Sequence, residues 1–152
     1  MTVLKVVSYN IHKGKSALGR RSSLMELSAG LSSLQADLLF LQEIQGRNEI
    51  ENHLHAQPEQ LAGRLQMEVA YGCNAIRKKT DHGNALLSRF EIVHHENEDI
   101  SDHKLEQRGV LHAQVNVNDL LVHCFVVHLG LFNGSRIRQV EAIIQRIKRL
   151  VP

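Results

Sequence analysis

Three polar side chains stand at the ends of largely apolar stretches that lie far apart in this sequence: Asn10 after residues 4–9, Glu43 after 38–42, and His128 after 120–127. A carboxylate held at the end of a buried strand, followed by the loop Gln45-Gly46-Arg47-Asn48, is well placed to bind a hard cation. An amide can orient a phosphate or a nucleophile, and an imidazole can donate or stabilise a proton. If the three strand ends share one edge of a sheet, the set suits phosphoester hydrolysis, in which a divalent cation neutralises phosphate charge. Taken alone, Glu43 reads more readily as a solubilising residue at a strand end than as a metal ligand. His12, in the loop after Asn10, could reach the same cleft or pack against the helix that follows.

The elements that must position these residues are legible as patterns. Residues 38–41 have no polar member, which predicts a strand buried on both faces. Residues 4–9 form a strand that runs into a loop relaxed by Gly14 and Gly19. Ser23-Leu24-Met25-Glu26 has capping-box spacing, and Leu24, Leu27, Leu31 and Leu34 fall on one stripe of the helix it starts. A second helix is expected over 58–65, with proline at a favourable first position. Strands are expected over 67–73, 83–89 and 91–94. The strands 110–117 and 120–129 are joined by Asn118 and Asp119 alone, which tolerate the positive φ of a tight hairpin turn. The first puts Leu111, Ala113, Val115 and Val117 on one face and His112, Gln114 and Asn116 on the other. The second is nearly apolar throughout and is expected inside a sheet covered above and below. Ser135 then caps a helix in which Ile137, Val140, Ile144, Ile147 and Val151 recur at helical spacing, with Arg136, Arg138, Gln139, Arg146 and Arg149 on other faces. Asn84, inside an apolar strand, reads mainly as structural.

At 152 residues the chain is long enough for one domain with a real core and too short for two. A formal net charge of +2 neither argues for nor excludes a nucleic-acid partner. Cys73 and Cys124 have no C-x-x-C spacing, which points to a reducing compartment and no zinc knuckle. The amino terminus lacks a positive segment followed by an apolar core, and no later run approaches membrane-spanning length, so a soluble cytoplasmic protein is expected. His53-x-His55 and His94-His95 lack the carboxylate and spacing of a metal site and read as surface histidines.

Ser8-Tyr9-Asn10-Ile11-His12, Leu41-Gln42-Glu43, Gly83-Asn84-Ala85-Leu86-Leu87-Ser88-Arg89, Arg108-Gly109 and Val127-His128-Leu129-Gly130-Leu131, in this order, resemble the amino-terminal half of the endonuclease/exonuclease/phosphatase superfamily. The resemblance implies an α+β fold, a layered β-sandwich with outer helices, of which residues 1–152 would supply about one sheet and its helices as a single, apparently truncated domain. It implies a magnesium-dependent phosphoester hydrolase, a nuclease or a phosphatase, with Mn2+ as an alternative ion. Glu43 would be the metal ligand, Asn10 would support the metal and the scissile phosphate, and His128 would contact phosphate or donate a proton. Arg108 would contact phosphate, unless it is simply a loop residue fixed by neighbouring carboxylates, and His12 is the other candidate on the substrate side. The substrate would be a phosphoester: nucleic acid, inositol phosphate or a phospholipid headgroup.

The chain departs from that pattern beyond His128. The family's carboxy-terminal half carries a Gly-Asp-Phe-Asn-like strand end and a final Asp-His pair, and neither occurs here. After Asp119 there is no aspartate, and the one acid beyond His128 is Glu141. Ser101-Asp102-His103 imitates the final pair but precedes Arg108-Gly109. A sheet without its partner would expose an apolar face, so a homo-oligomer through that face or a fragment of a longer chain is expected. A non-catalytic interaction module that kept the scaffold is the alternative to an incomplete hydrolase.

Overall fold

The computed structural model describes residues 3–15 and 24–150. Gly19, Ser23 and Val151 lie outside them, so the capping box is not among the described features. In chain order the elements are β1 (Val6–Asn10), α1 (Leu24–Ser33), β2 (Leu38–Ile44), α2 (Gln57–Leu65), β3 (Glu68–Ile76), β4 (Asp81–Ser88), β5 (Glu91–Asp99), β6 (Gly109–Val117), β7 (Leu120–Val127) and α3 (Asn133–Leu150). Four strands form one sheet in the order β1-β2-β4-β3, and three form a second in the order β5-β6-β7. β1 and β2 are parallel; every other pair is antiparallel.

The unbroken apolar run of β2 has a direct cause. Leu39 and Leu41 pack with Leu24, Leu31 and Leu61 of α1 and α2. Leu38 and Phe40 face the other way, onto Leu111, Ala113, Val115 and Val126 of the second sheet. A strand covered by helices on one side and by a sheet on the other can afford no polar position in its middle. The tight hairpin is also present: Asn118 and Asp119 sit at φ 51° and 66°, so β6 pairs with β7 without an intervening loop.

The α+β sandwich is the fold expected, but its shares differ. The described residues supply four strands of one sheet and three of the other, not about one sheet. Alternation shows that Leu111, Ala113, Val115 and Val117 face a core; it does not show whether that core lies beside the first sheet or on top of it. The face expected to be left bare is therefore covered by β5–β7, which removes the premise for self-association through it.

Two further expectations change. β7 is an edge strand among the described residues, with Leu120 and Leu121 exposed, where its composition suggested a central one. On α3 the apolar stripe Ile137, Val140, Ile144 and Ile147 is more than a third exposed, whereas Ser135, Gln139 and Arg146 are buried. Specific polar partners decide this. Arg146 donates to Glu98 Oε2 (2.5 Å) and Glu96 Oε2 (2.6 Å) of β5 and approaches His112 Nδ1 of β6 (3.2 Å).

Candidate active site

Topology brings the three strand ends together. β1 and β2 run parallel in register, Asn10 opposite Gln42, and so finish at the same edge. β4 runs the other way and starts there. β7 ends beside the start of β6, leaving His128 and Arg108 one residue outside the paired strands.

Glu43 is aimed by an irregularity in β2. Its ladder with β4 shifts between Gln42 and Ile44, and Glu43 takes φ 53°. This is a β-bulge, which turns a strand residue out of the alternating pattern. Holding a glutamate in the left-handed region costs about 1 kcal/mol or more, and such strain concentrates at functional sites. The loop opposite is fixed in the same region of φ, with His12 at 48° and Lys13 at 59°. Asn10 Oδ1 accepts from the His12 backbone N–H (2.9 Å), and Gln57 Nε2 donates to the Lys13 carbonyl (2.8 Å).

Asn10 Nδ2 donates to Glu43 Oε1 at 3.0 Å. Nδ1 of His12 and Nδ1 of His128 each lie 3.9 Å from a Glu43 carboxylate oxygen, one at Oε2 and the other at Oε1. Burial pushes the Glu43 carboxyl up, but the Asn10 hydrogen bond and the charges of His128, Lys13 and His12 outweigh it and hold the group below its ordinary value. His128 is pushed below an ordinary imidazole, first by burial and then by the Arg108 cation, against the pull of Glu43 and Glu106. At neutral pH the pair is thus a carboxylate beside a neutral imidazole.

Arg108 donates from Nη2 to Glu106 Oε1 (3.0 Å) and from Nη1 to the Gln107 carbonyl (3.1 Å). It is a loop residue fixed by a carboxylate, and its charge also acts on His128. The cluster includes residues that sequence reasoning passed over. His82 is depressed by burial and by Lys13 while Glu43 opposes the shift. Both His82 and Lys13 adjoin or lie inside motifs already noted, so the signal was there. Glu106 carried none.

Other candidates fall elsewhere. Asp102 accepts from Ser135 Oγ (2.7 Å) and from Arg138 Nη2 (2.6 Å), which ties it to the first turn of α3. His55 Nδ1 accepts from the Asn48 backbone N–H, and His94 pairs with Glu96. Asn84 is structural in a definite sense: its Nδ2 donates to the Gly109 and Val126 carbonyls (3.1 and 3.2 Å), joining β4 to β6 and β7 across the two sheets.

Among the described residues no group of three or more His, Cys, Asp or Glu is arranged to hold a metal ion. Glu43 supplies one ionised carboxylate, with Asn10 beside it. That donor set fits an ion that keeps most of its water, as Mg2+ does when bound through one or two carboxylates, and not an ion that needs an all-protein cage.

The family model for the endonuclease/exonuclease/phosphatase family matches residues 7–149. The chain is 37% identical over 154 aligned residues to the protein YbhP of Escherichia coli K12, itself uncharacterised, covering 96% of this chain and 61% of the relative. It therefore spans less than two thirds of the length of the curated relatives it matches. The fold resembles that of an endonuclease/exonuclease/phosphatase from Beutenbergia cavernae, with TM-score 0.83 at 18% identity, over 93% of this chain and 43% of that one. It also resembles TDP2 of D. rerio solved with a single-strand DNA product, with TM-score 0.66 at 20% identity, over 98% and 56% of the two chains. No helix among the described residues is long and apolar enough to cross a membrane. With its strand-end cluster built from the matched segment, this chain belongs to the endonuclease/exonuclease/phosphatase family.

Proposed function

We propose that the chain carries part of the active site of a metal-dependent phosphoester hydrolase, a nuclease or a phosphatase. The observation that supports this most is Glu43, held at a strained bulge between Asn10 and two imidazoles, ionised and partly open to solvent. Glu43 would hold a magnesium ion, or manganese in its place, with Asn10 fixing the carboxylate. The ion would neutralise phosphate charge and lower the pKa of a bound water. Arg108, anchored by Glu106, would meet a phosphate oxygen on the side of His128, and His12 would do so on the side of β1. His128, neutral at rest, would stabilise or protonate the departing oxygen only after gaining a proton itself.

The strand-end cluster offers Glu43 and Glu106 as its carboxylates, and Glu106 is committed to Arg108 and to the Leu131 N–H. Glu106 Oε2 has no hydrogen-bond partner but is buried away from solvent, so among the described residues the cluster presents Glu43 as its open carboxylate. This supports an incomplete site that turns over only with the length present in the curated relatives or with a second subunit. It equally favours a second reading, a scaffold that binds without catalysis. Two free thiols, Cys73 and Cys124, fit a reducing compartment, and a cytoplasmic location is part of the proposal.

Magnesium-dependent hydrolysis of a generic phosphodiester, measured on this chain extended to the length of the curated relatives, with and without Glu43→Gln or His128→Ala, separates the readings. Loss of about a hundredfold or more in each variant is expected, the size usual for removing a metal ligand or a general acid. Activity that both substitutions leave intact overturns the site assignment. No hydrolysis of any phosphodiester by the extended chain without substitutions favours the binding scaffold.

A further inference from the structure

Two stretches of strained backbone face each other across the candidate cleft. On one wall His12, Lys13 and Gly14 take φ 48°, 59° and 75° in succession, a left-handed turn that L residues adopt only where their surroundings hold them. On the other wall is Glu43, at the bulge of β2. Two side-chain amides join these walls. Asn10 does so beside the carboxylate, with Oδ1 accepting from the His12 N–H (2.9 Å) and Nδ2 donating to Glu43 Oε1 (3.0 Å). Gln57, the first residue of α2, does so from the buried side. Its Nε2 donates to the Lys13 carbonyl (2.8 Å), and its Oε1 accepts from the Gln45 N–H (3.0 Å).

The buried tie is close-fitting. Gln57 is 0% exposed, and its backbone N–H also donates to the Gln45 carbonyl at 3.0 Å, so both main-chain groups of Gln45 are held by this one residue. Gln45 lies two residues past Glu43, beyond the bulge. A Cβ placed on Gly14 would come within 2.9 Å of Gln57 Nε2, which leaves no slack between the amide and the turn. The amide does not serve its own helix, whose N-terminus, at Ala56, has no side-chain cap. Its two bonds run instead to loops 44 and 12 residues away in sequence. Those loops carry the groups around the carboxylate: His12 Nδ1 stands 3.9 Å from Glu43 Oε2, and the Lys13 charge is among those that keep Glu43 ionised.

We infer that Gln57 is a positioning residue for the cation site at Glu43: its two hydrogen bonds set, from the buried side, the separation between the 12–14 turn and the bulge, and with it the affinity of the site for a divalent cation. Gln57 touches neither the cation nor the substrate. It can act in this way only if Glu43 holds the ion as proposed above, and it is a residue that proposal does not contain. A site with one carboxylate and an amide depends on those few donors being kept in place around an ion that retains most of its water. Groups that orient a metal ligand without contacting the ion are worth about 10–100-fold in affinity. Without the tie, the Lys13 carbonyl and the Gln45 N–H are left unpaired in a dry interior, and both loops gain by moving toward other partners. The left-handed turn then has less to hold it, and His12 and Lys13 move off the carboxylate.

Cation binding, not turnover, is the measurement. Mn2+ is titrated into the chain extended to the length of the curated relatives, and binding is read from water-proton relaxation. Gln57→Met keeps the bulk of the side chain and removes both of its bonds. Gly14→Ala leaves both amides in place and presses a methyl against Gln57 Nε2. Leu61→Ala, one turn further along α2 and also at a 0% exposed position, removes packing without touching either bond and controls for stability alone. Far-ultraviolet circular dichroism checks that each variant is folded. The expected result is an affinity about tenfold lower in Gln57→Met, lower also in Gly14→Ala, and within about twofold of the unaltered protein in Leu61→Ala. Unchanged affinity in Gln57→Met overturns the positioning role, while a loss in Glu43→Gln still leaves the metal reading standing. An equal loss in Leu61→Ala overturns it too, because loosening of α2 then accounts for the effect. Should Gln57→Met not fold, unchanged affinity in Gly14→Ala overturns it alone. Mn2+ binding that Glu43→Gln leaves intact, or no binding by the unaltered protein, overturns the metal reading and the role of Gln57 together.

Discussion

Asn84 joins the two sheets at the level of the strand-end cluster, and its substitution tests whether that joint matters as its geometry says. The side chain is 1% exposed, and its single amide donates to two carbonyls, Gly109 at 3.1 Å and Val126 at 3.2 Å, one in β6 and one in β7. Asn84→Ala leaves both carbonyls without that donor in a dry interface. Each buried group deprived of its partner costs about 1–3 kcal/mol, and since a carbonyl has a second lone pair the low end applies, giving about 2–4 kcal/mol together. Against this stands the Asn84 Oδ1 atom, buried without a partner, whose removal recovers about 1 kcal/mol. The net expectation is a loss of about 2 kcal/mol, or a fall in Tm of about 4–8 °C for a chain of this size. Asn84→Asp keeps the shape but sets a carboxylate against two carbonyls and must cost more than alanine at neutral pH, with the gap closing as the acid protonates. Urea unfolding of both variants reads these values. An alanine loss under about 0.5 kcal/mol, or an aspartate no worse than alanine, refutes the account of the joint.

Glu43→Gly relieves the left-handed backbone at the bulge, so stability should hold or rise by up to about 1 kcal/mol while magnesium-dependent hydrolysis is lost; a marked loss of stability would show that no strain resides there. On α3 the expected ranking runs against hydrophobicity: Ile144→Lys should cost under about 0.5 kcal/mol, whereas Arg146→Ala should cost about 2 kcal/mol by leaving His112 Nδ1 without its donor under the helix, both read by chemical denaturation. Acid should weaken the fold through its depressed imidazoles. His112 is 2% exposed, with Nδ1 facing the Arg146 guanidinium and Nε2 donating to His123, and burial and that cation hold its pKa below the ordinary 6.5. The unfolded chain therefore binds a proton there that the native chain refuses, and stability falls as pH drops below 6.5, by up to about 1.4 kcal/mol per unit for each such group. His82 and His128 shift in the same direction and add to the slope. Urea titrations near about pH 7.5 and about pH 5.5 should show His112→Gln losing less stability between the two than the unaltered chain.

Much of the fold follows from local patterns. The run 38–41 fixed a strand covered on both faces because a polar residue there would have had no water to meet, and Asn118-Asp119 fixed a tight hairpin because both accept positive φ. Asn10, Glu43 and His128 were visible as polar ends of apolar strands, which is a statement about single chain segments. Their meeting was not visible. It depends on β1 and β2 running parallel and on β7 folding back from a different sheet, relations between segments dozens of residues apart. The bulge that turns Glu43 toward Asn10 has no signature in Leu41-Gln42-Glu43-Ile44, since any of these residues could have taken the extra position.

The sequence by itself determined roughly where the strands and helices would lie, that the run 38–41 would be buried on both faces, and which three side chains stood where chemistry could occur, because periodicity and solvation act on each segment alone. Only the tertiary structure decided which sheet each strand joined, which face of α3 turned inward and which loops closed around Glu43. Those outcomes turn on partners remote in sequence: Glu96, Glu98 and His112 drew Arg146 under the helix against the pull of its isoleucines, and Gln57 tied the Lys13 turn to Gln45.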